Sequence, residues 1–452
     1  MSCPSSSSSS SSSLASFRRL VCRYELRAVA CEIFISAMAS YEEMRYASAI
    51  HYFRLVYKIA HGTDKANDAY FNLSSILHMI GFPELAVKLL EPVLISSLIS
   101  EQQKEQGEEE DATVHQFLWA LAQSEASTRT VAIDLYRKLD ARGDLRASHK
   151  LATLLNEGES ALRGNPEYAR KIFDQLSNVF EHRLTEQLQY KVPWQLEEEV
   201  SKILETNVDA LTSSKGAWRI LDLGSGSGLC GKTFESYVTR YDNNTTDNGK
   251  NDENDLVALK NCIDIHDSMK VSIFIALDVS GKMTQLCKES GYYSHSFRCS
   301  IQDGLEVLAR SVLDCNVHTD MIEERLFDMV LAADTFIYVG ALGKTFQHVG
   351  TILKERGLFA FSIELKENRG EFSHSNDMKD GYSGDYDDDE TLARRGCQLQ
   401  SSSRYGHTCQ YIQQLSIKFQ YQILVAREIV IRNEFDGCIK GFIYVLRKLT
   451  GA

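Results

Sequence analysis

The stretch WRILDLGSGSGLCGKTF, Trp218–Phe234, carries two overlapping glycine codes. Gly224, Gly226 and Gly228 read as G-x-G-x-G. Gly226, Gly228 and Gly231 read as G-x-G-x-x-G, the dinucleotide fingerprint. The two codes predict different ligands, and the end of the preceding strand decides between them. The apolar run Trp218–Leu223 predicts a strand, so Gly224 opens the turn. A dinucleotide site starting there needs its third glycine at position 229, which is Leu229. Reading the code from Gly226 instead pushes the strand end to Ser225. Asp222 then lies unpaired inside a buried strand, which is costly.

Outward from this stretch, apolar strands alternate with helices. Ser272–Asp278, Phe297–Asp303, Phe327–Asp334 and Gly357–Leu365 read as further strands, with Gly281–Ser290 and Lys344–Glu355 as helices between them. The alternation predicts an α/β fold, a Rossmann-like, mostly parallel buried sheet. YQILVAREIVIR and GFIYVLRKL, joined by a turn near Asn433–Gly437, predict an antiparallel C-terminal edge hairpin. Polar stretches near 242–255 and 367–389 read as disordered insertions on the rim.

In an open α/β sheet the ligand lies beyond the carboxyl ends of the strands. Asp222 is expected to end the first strand and face that crevice, accepting hydrogen bonds from a cationic ligand. Gly224, Gly226 and Gly228 let the backbone approach it, and no Lys or Arg lies among them to neutralise a diphosphate. Asp278 ends the second strand, where it is placed for ribose hydroxyls. Asp303 is expected to end the third and accept from an adenine amino group. Three carboxylates around one crevice suit a ligand with a sulfonium, an amine and a nucleoside.

DLGSGSGLCG, ALDVSGKM (Ala276–Met283) and FDMVLAADTFIYVGAL (Phe327–Leu342) resemble a class I S-adenosylmethionine-dependent methyltransferase. Asn165–Leu196 and Ser403–Leu415 are similar to methyltransferases that carry tetratricopeptide-like (TPR) repeats ahead of the catalytic domain. The resemblance implies that Asp222, Gly224, Ser225, Gly226 and Gly228 surround the methionine part of S-adenosyl-L-methionine. It places Asp278 and Val279 at the ribose and Asp303 with Gln302 at the adenine. Met283 lies against the adenine or in ordinary core packing. Ser225 stands where many relatives have cysteine. Asp334 follows the fourth strand, near where the reactive methyl points.

Methyl transfer from a sulfonium requires alignment of the nucleophile and exclusion of water, and a base where the nucleophile must lose a proton. The candidate bases are His407, Tyr405 and Asp334. Arg404–His407 reads as a loop folding over the cleft, in which Arg404 binds a substrate carboxylate or phosphate. Phe173, Phe180 and Leu184, at helical spacing, pack on the sheet or form a lid, with Tyr190 near it. Two other readings stay open: a scaffold whose methyltransferase domain has lost catalysis, and an NAD(P)-dependent oxidoreductase using the overlapping code.

Residues 41–164 read as an all-α TPR-like domain. Ala69–Leu94 has Leu73 and Leu77 on one helix face, a turn at Gly81, then Ala86, Leu90 and Pro92. Such a solenoid offers a concave face to a peptide or protein partner, and the catalytic domain then spans 165–452. Residues 1–40 form a tail in which a serine tract, Ser5–Ser13, precedes Arg18, Arg19, Arg23 and Arg27. This is either an organelle transit peptide or a low-complexity tail of a cytoplasmic protein. The formal net charge of −13 argues against nucleic-acid binding through a broad basic face. Scattered Cys and His without metal-ligand spacing suggest reduced thiols and no metal site. No apolar run reaches the roughly 20 residues of a membrane span. The acceptor is left open: a small molecule or a protein.

Overall fold

The computed structural model describes residues 30–40, 45–59, 126–156, 159–177, 188–206, 217–238, 255–263, 272–313, 325–366, 389–434 and 437–450, with isolated positions between 43 and 122 and at 181 and 185. The chain divides into two compact units, Met1–Leu151 and Ala152–Ala452.

In the first unit most described residues are helical, with α1 (Tyr46–Ile59) and α2 (Ala126–Asp140) among its helices. Phe53 and Tyr136 are fully buried, and the Tyr136 hydroxyl donates to the His115 carbonyl at 3.0 Å. Most of Ala69–Leu94, the proposed repeat, lies outside the described residues, as does the tail up to residue 29.

Among the described residues the second unit holds a nine-stranded sheet. Its strands are β1 (Arg219–Leu223), β2 (Ile273–Asp278), β3 (His295–Arg298), β4 (Phe327–Ala332), β5 (Leu353–Leu365), β6 (Cys397–Leu399), β7 (Tyr405–His407), β8 (Tyr421–Glu434) and β9 (Gly437–Lys448). β3, β2, β1, β4 and β5 run parallel in that order. β9 joins β5 antiparallel and β8 pairs with β9, so the edge hairpin read from the sequence is present. β7 continues beside β5 at Glu364 and Leu365, past the last β4 partner at Phe361, and forms a small antiparallel pair with β6.

The helices used below are α3 (Pro166–Leu176), α4 (Val192–Thr206), α5 (Leu229–Thr233), α6 (Asp255–Ile263), α7 (Gly281–Ser290), α8 (Ile301–Leu313), α9 (Gly343–Ile352), α10 (Asp389–Gly396) and α11 (Cys409–Lys418). Strand alternation splits the core into two layers. Leu221, Leu223, Ile275, Leu277, Val330 and Phe361 pack with Leu305, Leu308, Phe346 and Leu415. Ile220, Phe274, Ala276, Met329 and Leu331 pack with Leu196, Val200, Cys230 and Tyr293. Even positions of β1 and β2 therefore face the second layer, which fixes where Asp222 and Asp278 point.

Two expected elements differ. The third strand ends at Arg298, because Ser300 starts a helix: its hydroxyl accepts from the Asp303 N–H at 3.1 Å and donates to the Asp303 carboxylate at 2.7 Å. Asp303 thus lies in the first turn of α8. Arg404–His407 is largely strand β7 rather than a loop, followed by α11 with Thr408 as its N-cap. Among the described residues no helix is long and apolar enough to cross a membrane, and none of their His, Cys, Asp and Glu side chains gather into a group able to hold a metal ion. The insertions at 242–254 and 367–388 lie outside the described residues.

Candidate active site

The glycine turn begins where the sequence places it. β1 ends at Leu223, and Gly224, Gly226 and Gly228 take φ of 71°, 55° and 97°, in the left-handed region that favours glycine. The Gly224 and Ser225 N–H groups both donate to the Leu277 carbonyl, at 2.8 and 3.1 Å, tying the turn to β2. A Cβ at Gly224 would lie 2.6 Å from Thr335 Cγ2, after β4, so this glycine also permits close approach.

The third glycine of the dinucleotide code has a different task. Gly231 lies within α5, and its N–H donates to the Tyr293 hydroxyl at 2.7 Å. A Cβ there would come within 2.4 Å of the Tyr293 ring. Gly231 is small because Tyr293 lies against it, and α5 spans five residues, a short stub to receive a diphosphate.

Tyr293 also corrects the reading of Asp222. This carboxylate lies inside the buried strand with no exposure, and it does not line the cavity described below. The cost of burying it is offset by Tyr293, whose hydroxyl donates to Asp222 Oδ2 at 2.6 Å. Burial still pushes its carboxyl up to about 7, against the opposing Tyr293 hydrogen bond. Asp222 braces the turn from below: Gly231 N–H donates to Tyr293, and Tyr293 to Asp222.

Asp278 is on the same sheet face at the strand end and does line the cavity. Its Oδ2 accepts from Gly226 N–H at 2.9 Å and its Oδ1 from Ser280 N–H at 2.8 Å. Burial raises its carboxyl to about 6, partly opposed by these backbone donors.

The cavity, about 400 Å3, opens beyond the carboxyl ends of β1 to β4. Gly224, Ser225, Gly226, Ser227, Val279, Ser300 and Gln302 line it beside Asp278. Ser227 Oγ is buried there with no hydrogen-bond partner among the described residues. Met283 and Asp303 do not line it. Met283 is fully buried, one turn into α7, and its N–H is capped by Ser280. Asp303 engages Ser300 instead, which leaves the wall at this point to Gln302 and Ser300.

Phe173, Leu176, Tyr190, Ile337 and Tyr338 also line the cavity, with Asp334, Arg404 and Arg432. Phe173 and Tyr338 meet edge to face at 5.1 Å. Phe180 and Leu184 lie outside the described residues. Asp334 has φ 53° and donates its N–H to Ser362 Oγ at 2.8 Å. Its carboxylate faces Arg432 Nη1 at 3.2 and 3.5 Å. Arg432, 2% exposed, also donates to Glu364 at 2.6 Å, and Glu364 accepts from Gln400 at 2.9 Å.

His407 and Tyr405 are not the bases expected. Both are fully buried in β7 and neither lines the cavity. His407 Nε2 is 2.7 Å from the Gly340 carbonyl, so it donates there and Nδ1 carries no proton in the neutral ring. Burial lowers its imidazole to about 4 and raises the Tyr405 phenol. The pair secures β7 against the segment after β4.

Sequence reasoning missed Tyr293, Arg432, Glu364 and Gln400. Tyr293 is 71 residues from Asp222, and nothing local in the sequence links them. A charged residue inside an apolar strand was the available signal for Arg432 and Glu364. The direction of Arg432 depends on a register shift between Val430 and Arg432. That irregularity buries both Ile431 and Arg432, where strict alternation would expose one.

No family model and no curated protein matches the chain. Solved structures similar to it include S-adenosylmethionine-dependent methyltransferases. One is the magnesium protoporphyrin IX methyltransferase of Synechocystis PCC 6803 with bound S-adenosylhomocysteine, 10% identical over 63% of this chain and 100% of that one, TM-score 0.34. Another is the 1,6-didemethyltoxoflavin-N1-methyltransferase of Burkholderia thailandensis, with bound 1,6-didemethyltoxoflavin and S-adenosylhomocysteine. It is 12% identical over 63% and 89% of the two chains, TM-score 0.34. A third, an S-adenosylmethionine-dependent methyltransferase from Clostridium acetobutylicum ATCC 824, is 15% identical over 62% and 99%, TM-score 0.33.

Proposed function

We propose that residues 152–452 form an S-adenosylmethionine-dependent methyltransferase. The observation that carries this reading is the junction of Asp278 with the Gly224–Gly228 turn on the cavity wall, where Asp278 accepts from the Gly226 N–H. A ligand held at the junction meets a carboxylate and bare backbone, which suits a ribose joined to a sulfonium and disfavours a diphosphate. The assignment of Gly231 to Tyr293 weighs the same way.

The chain fits that cofactor. Asp278 would accept from the ribose hydroxyls, and Val279, Ser300 and Gln302 would flank the nucleobase. The glycine turn and the orphaned Ser227 hydroxyl would meet the amino-acid part. The cofactor, when bound, supplies an electrophilic methyl group together with its leaving group. Phe173 and Tyr338, edge to face on the cavity wall, would help exclude water from the reacting atoms. Asp334 and the Tyr190 hydroxyl, raised by burial first and the Asp334 charge second, are the polar groups offered to an acceptor.

Calorimetry with S-adenosylmethionine and, separately, NADH tests this. Micromolar binding of the first alone is expected. Saturable micromolar binding of NADH overturns the assignment, and no binding of S-adenosylmethionine at millimolar concentration leaves a non-catalytic scaffold.

For residues 41–151, the part of the expected 41–164 domain that lies in the first unit, the helices Tyr46–Ile59 and Ala126–Asp140 support a TPR-like domain that binds a peptide or protein. Hydrogen-exchange protection repeating at about 34 residues is the expected signature, and protection without that period removes it. The tail is proposed as a transit peptide or a cytoplasmic low-complexity tail. Imaging fusions with and without residues 1–35 separates the two, since an unchanged cytosolic signal ends the transit reading.

A further inference from the structure

Helix α3 is tied down at its start. Two residues upstream of it, the Gly164 N–H donates to the Val339 carbonyl at 2.9 Å, and the Ala341 N–H donates to the Leu162 carbonyl at 2.9 Å. These bonds join the chain entering α3 to the segment after β4. Gly164 has no room for a side chain, because a Cβ there would run into the Tyr338 carbonyl. From this point Pro166, Ala169, Phe173 and Leu176, one face of the helix, join the cavity wall.

Asp174 follows Phe173 and does not line the cavity. It reaches the loop after β2 instead. Ser280 in that loop is fully buried and caps α7 by accepting from the Met283 N–H at 3.2 Å. Its own hydroxyl donates to Asp174 Oδ1 at 2.5 Å, the short separation of a hydroxyl on a carboxylate. Arg170, one turn back on α3, donates to the other Asp174 oxygen at 3.3 Å and also pairs with Glu167. The Ser280 N–H in turn donates to Asp278 Oδ1 at 2.8 Å. Asp278 is therefore held from two sides. The glycine turn holds Oδ2 through Gly226, and Ser280, itself held by α3, holds Oδ1.

Electrostatics follows the same line. Burial raises the Asp278 carboxyl, the Ser280 and Gly226 N–H groups oppose the rise, and the Asp174 charge adds to it. Asp278 also interacts with Asp222 on β1 and with the Cys287 and Cys299 thiols, both pushed up to about 12 by burial. Arg298, its β3 partner in register, has its side chain beside Gly281.

We propose that Asp174 is a positioning residue for cofactor binding: through Ser280 it fixes the Asp278 carboxylate, so the ribose site is complete only with α3 docked on the loop after β2. The proposal rests on the methyltransferase reading above and adds a residue to the same site.

The test uses the full chain and S-adenosylhomocysteine, titrated by calorimetry at pH 7 and pH 5, with urea unfolding of each variant alongside. The parent is expected to bind about tenfold more weakly at pH 5, where Asp278 takes up a proton. Asp174→Ala removes the acceptor of the Ser280 hydroxyl and should weaken binding at pH 7 about tenfold. Asp174→Asn keeps an acceptor oxygen for Ser280 and takes away the charge. Its binding at pH 7 should stay within about threefold of the parent, while the loss between pH 7 and pH 5 shrinks to about fourfold. A residue that only packs α3 would leave that pH ratio where it was. Lys171→Ala, at an exposed position of the same helix, should change neither value.

Failure of S-adenosylhomocysteine to bind the parent removes the methyltransferase reading and this inference with it. Binding by the parent with equal affinity at pH 7 and pH 5 overturns this inference alone. So does Asp174→Ala binding within twofold of the parent, an equal loss in Lys171→Ala, or a tenfold pH ratio that survives in Asp174→Asn. Should Asp174→Ala fail to fold, the pH ratio of Asp174→Asn decides.

Discussion

Asp222 and Asp278 stand on the same face of neighbouring parallel strands and meet opposite fates. The register pairs Asp222 with Ala276, two residues before Asp278. At about 3.3 Å per residue this sets Asp222 roughly 7 Å deeper. At that depth it meets the Tyr293 hydroxyl and is sealed from the cavity. Asp278, at the strand end, holds two backbone N–H groups and still lines the cavity. The same side chain is thus a structural brace in one place and a ligand-facing acceptor in the other, and one pleat of depth separates the roles.

The comparison breaks most easily at Asp278. Asp278→Ala is expected to weaken S-adenosylmethionine binding about 100-fold, the worth of charge-assisted hydrogen bonds, measured by calorimetry. A loss below tenfold would mean that the two carboxylates do not divide the work in this way. On the Asp222 side the expected loss is in folding. Gly231→Ala drives a methyl group into the Tyr293 ring and should cost about 2–3 kcal/mol in urea unfolding. Were Gly231 a phosphate-cradling glycine, stability would hold and ligand binding would fall.

Tyr293→Phe takes the O–H donor from Asp222 and the acceptor from Gly231 N–H. About 2 kcal/mol of stability should be lost, with cofactor affinity changed less than in Asp278→Ala. Equal loss of affinity in both variants would merge the two regions into one.

pH sharpens the contrast further. Burial raises Asp278 to about 6 and Asp222 to about 7, from the ordinary aspartate value of 3.8. The native state then holds more protons than the unfolded chain between about pH 4 and 7, so the stability contributed by these two groups falls as pH rises through that window. Ribose binding at ionised Asp278 runs the other way, and affinity at pH 5 should be about tenfold weaker than at pH 7. A pH-independent affinity would remove Asp278 from the contact.

The smallest effect concerns His407. His407→Phe loses the hydrogen bond to the Gly340 carbonyl and should cost about 1 kcal/mol. S-adenosylmethionine affinity should stay unchanged, and a clear loss there would return His407 to the site.

The sheet was legible because apolar runs bounded by turns encode buried parallel strands, and the glycine turn was legible because its conformation excludes other residues. The site divided along a different line. Asp278, Val279 and Ser225 follow directly from strand ends and sit on the cavity wall, where Gln302, in the first turn of α8, joins them. Asp303 was misplaced because Ser300 caps a helix two residues after the strand stops. His407 was misread because a polar segment after an acidic insertion looks exposed, while pairing with β5 and β6 buries it.

Local sequence by itself determined the turn at Gly224–Gly228 and the choice between the two glycine codes, since left-handed backbone and the strand end are properties of adjacent residues. It reached that choice on a premise that needed correction: Asp222 is inside a buried strand after all. Only tertiary structure supplies its partner, because Tyr293 comes from beyond α7 and β2. Tertiary structure alone also joins Asp334, Arg432, Glu364 and Gln400, four residues spread over four segments. Burial makes each of those polar groups dependent on a partner, and a partner distant in sequence is visible only once the chain has folded.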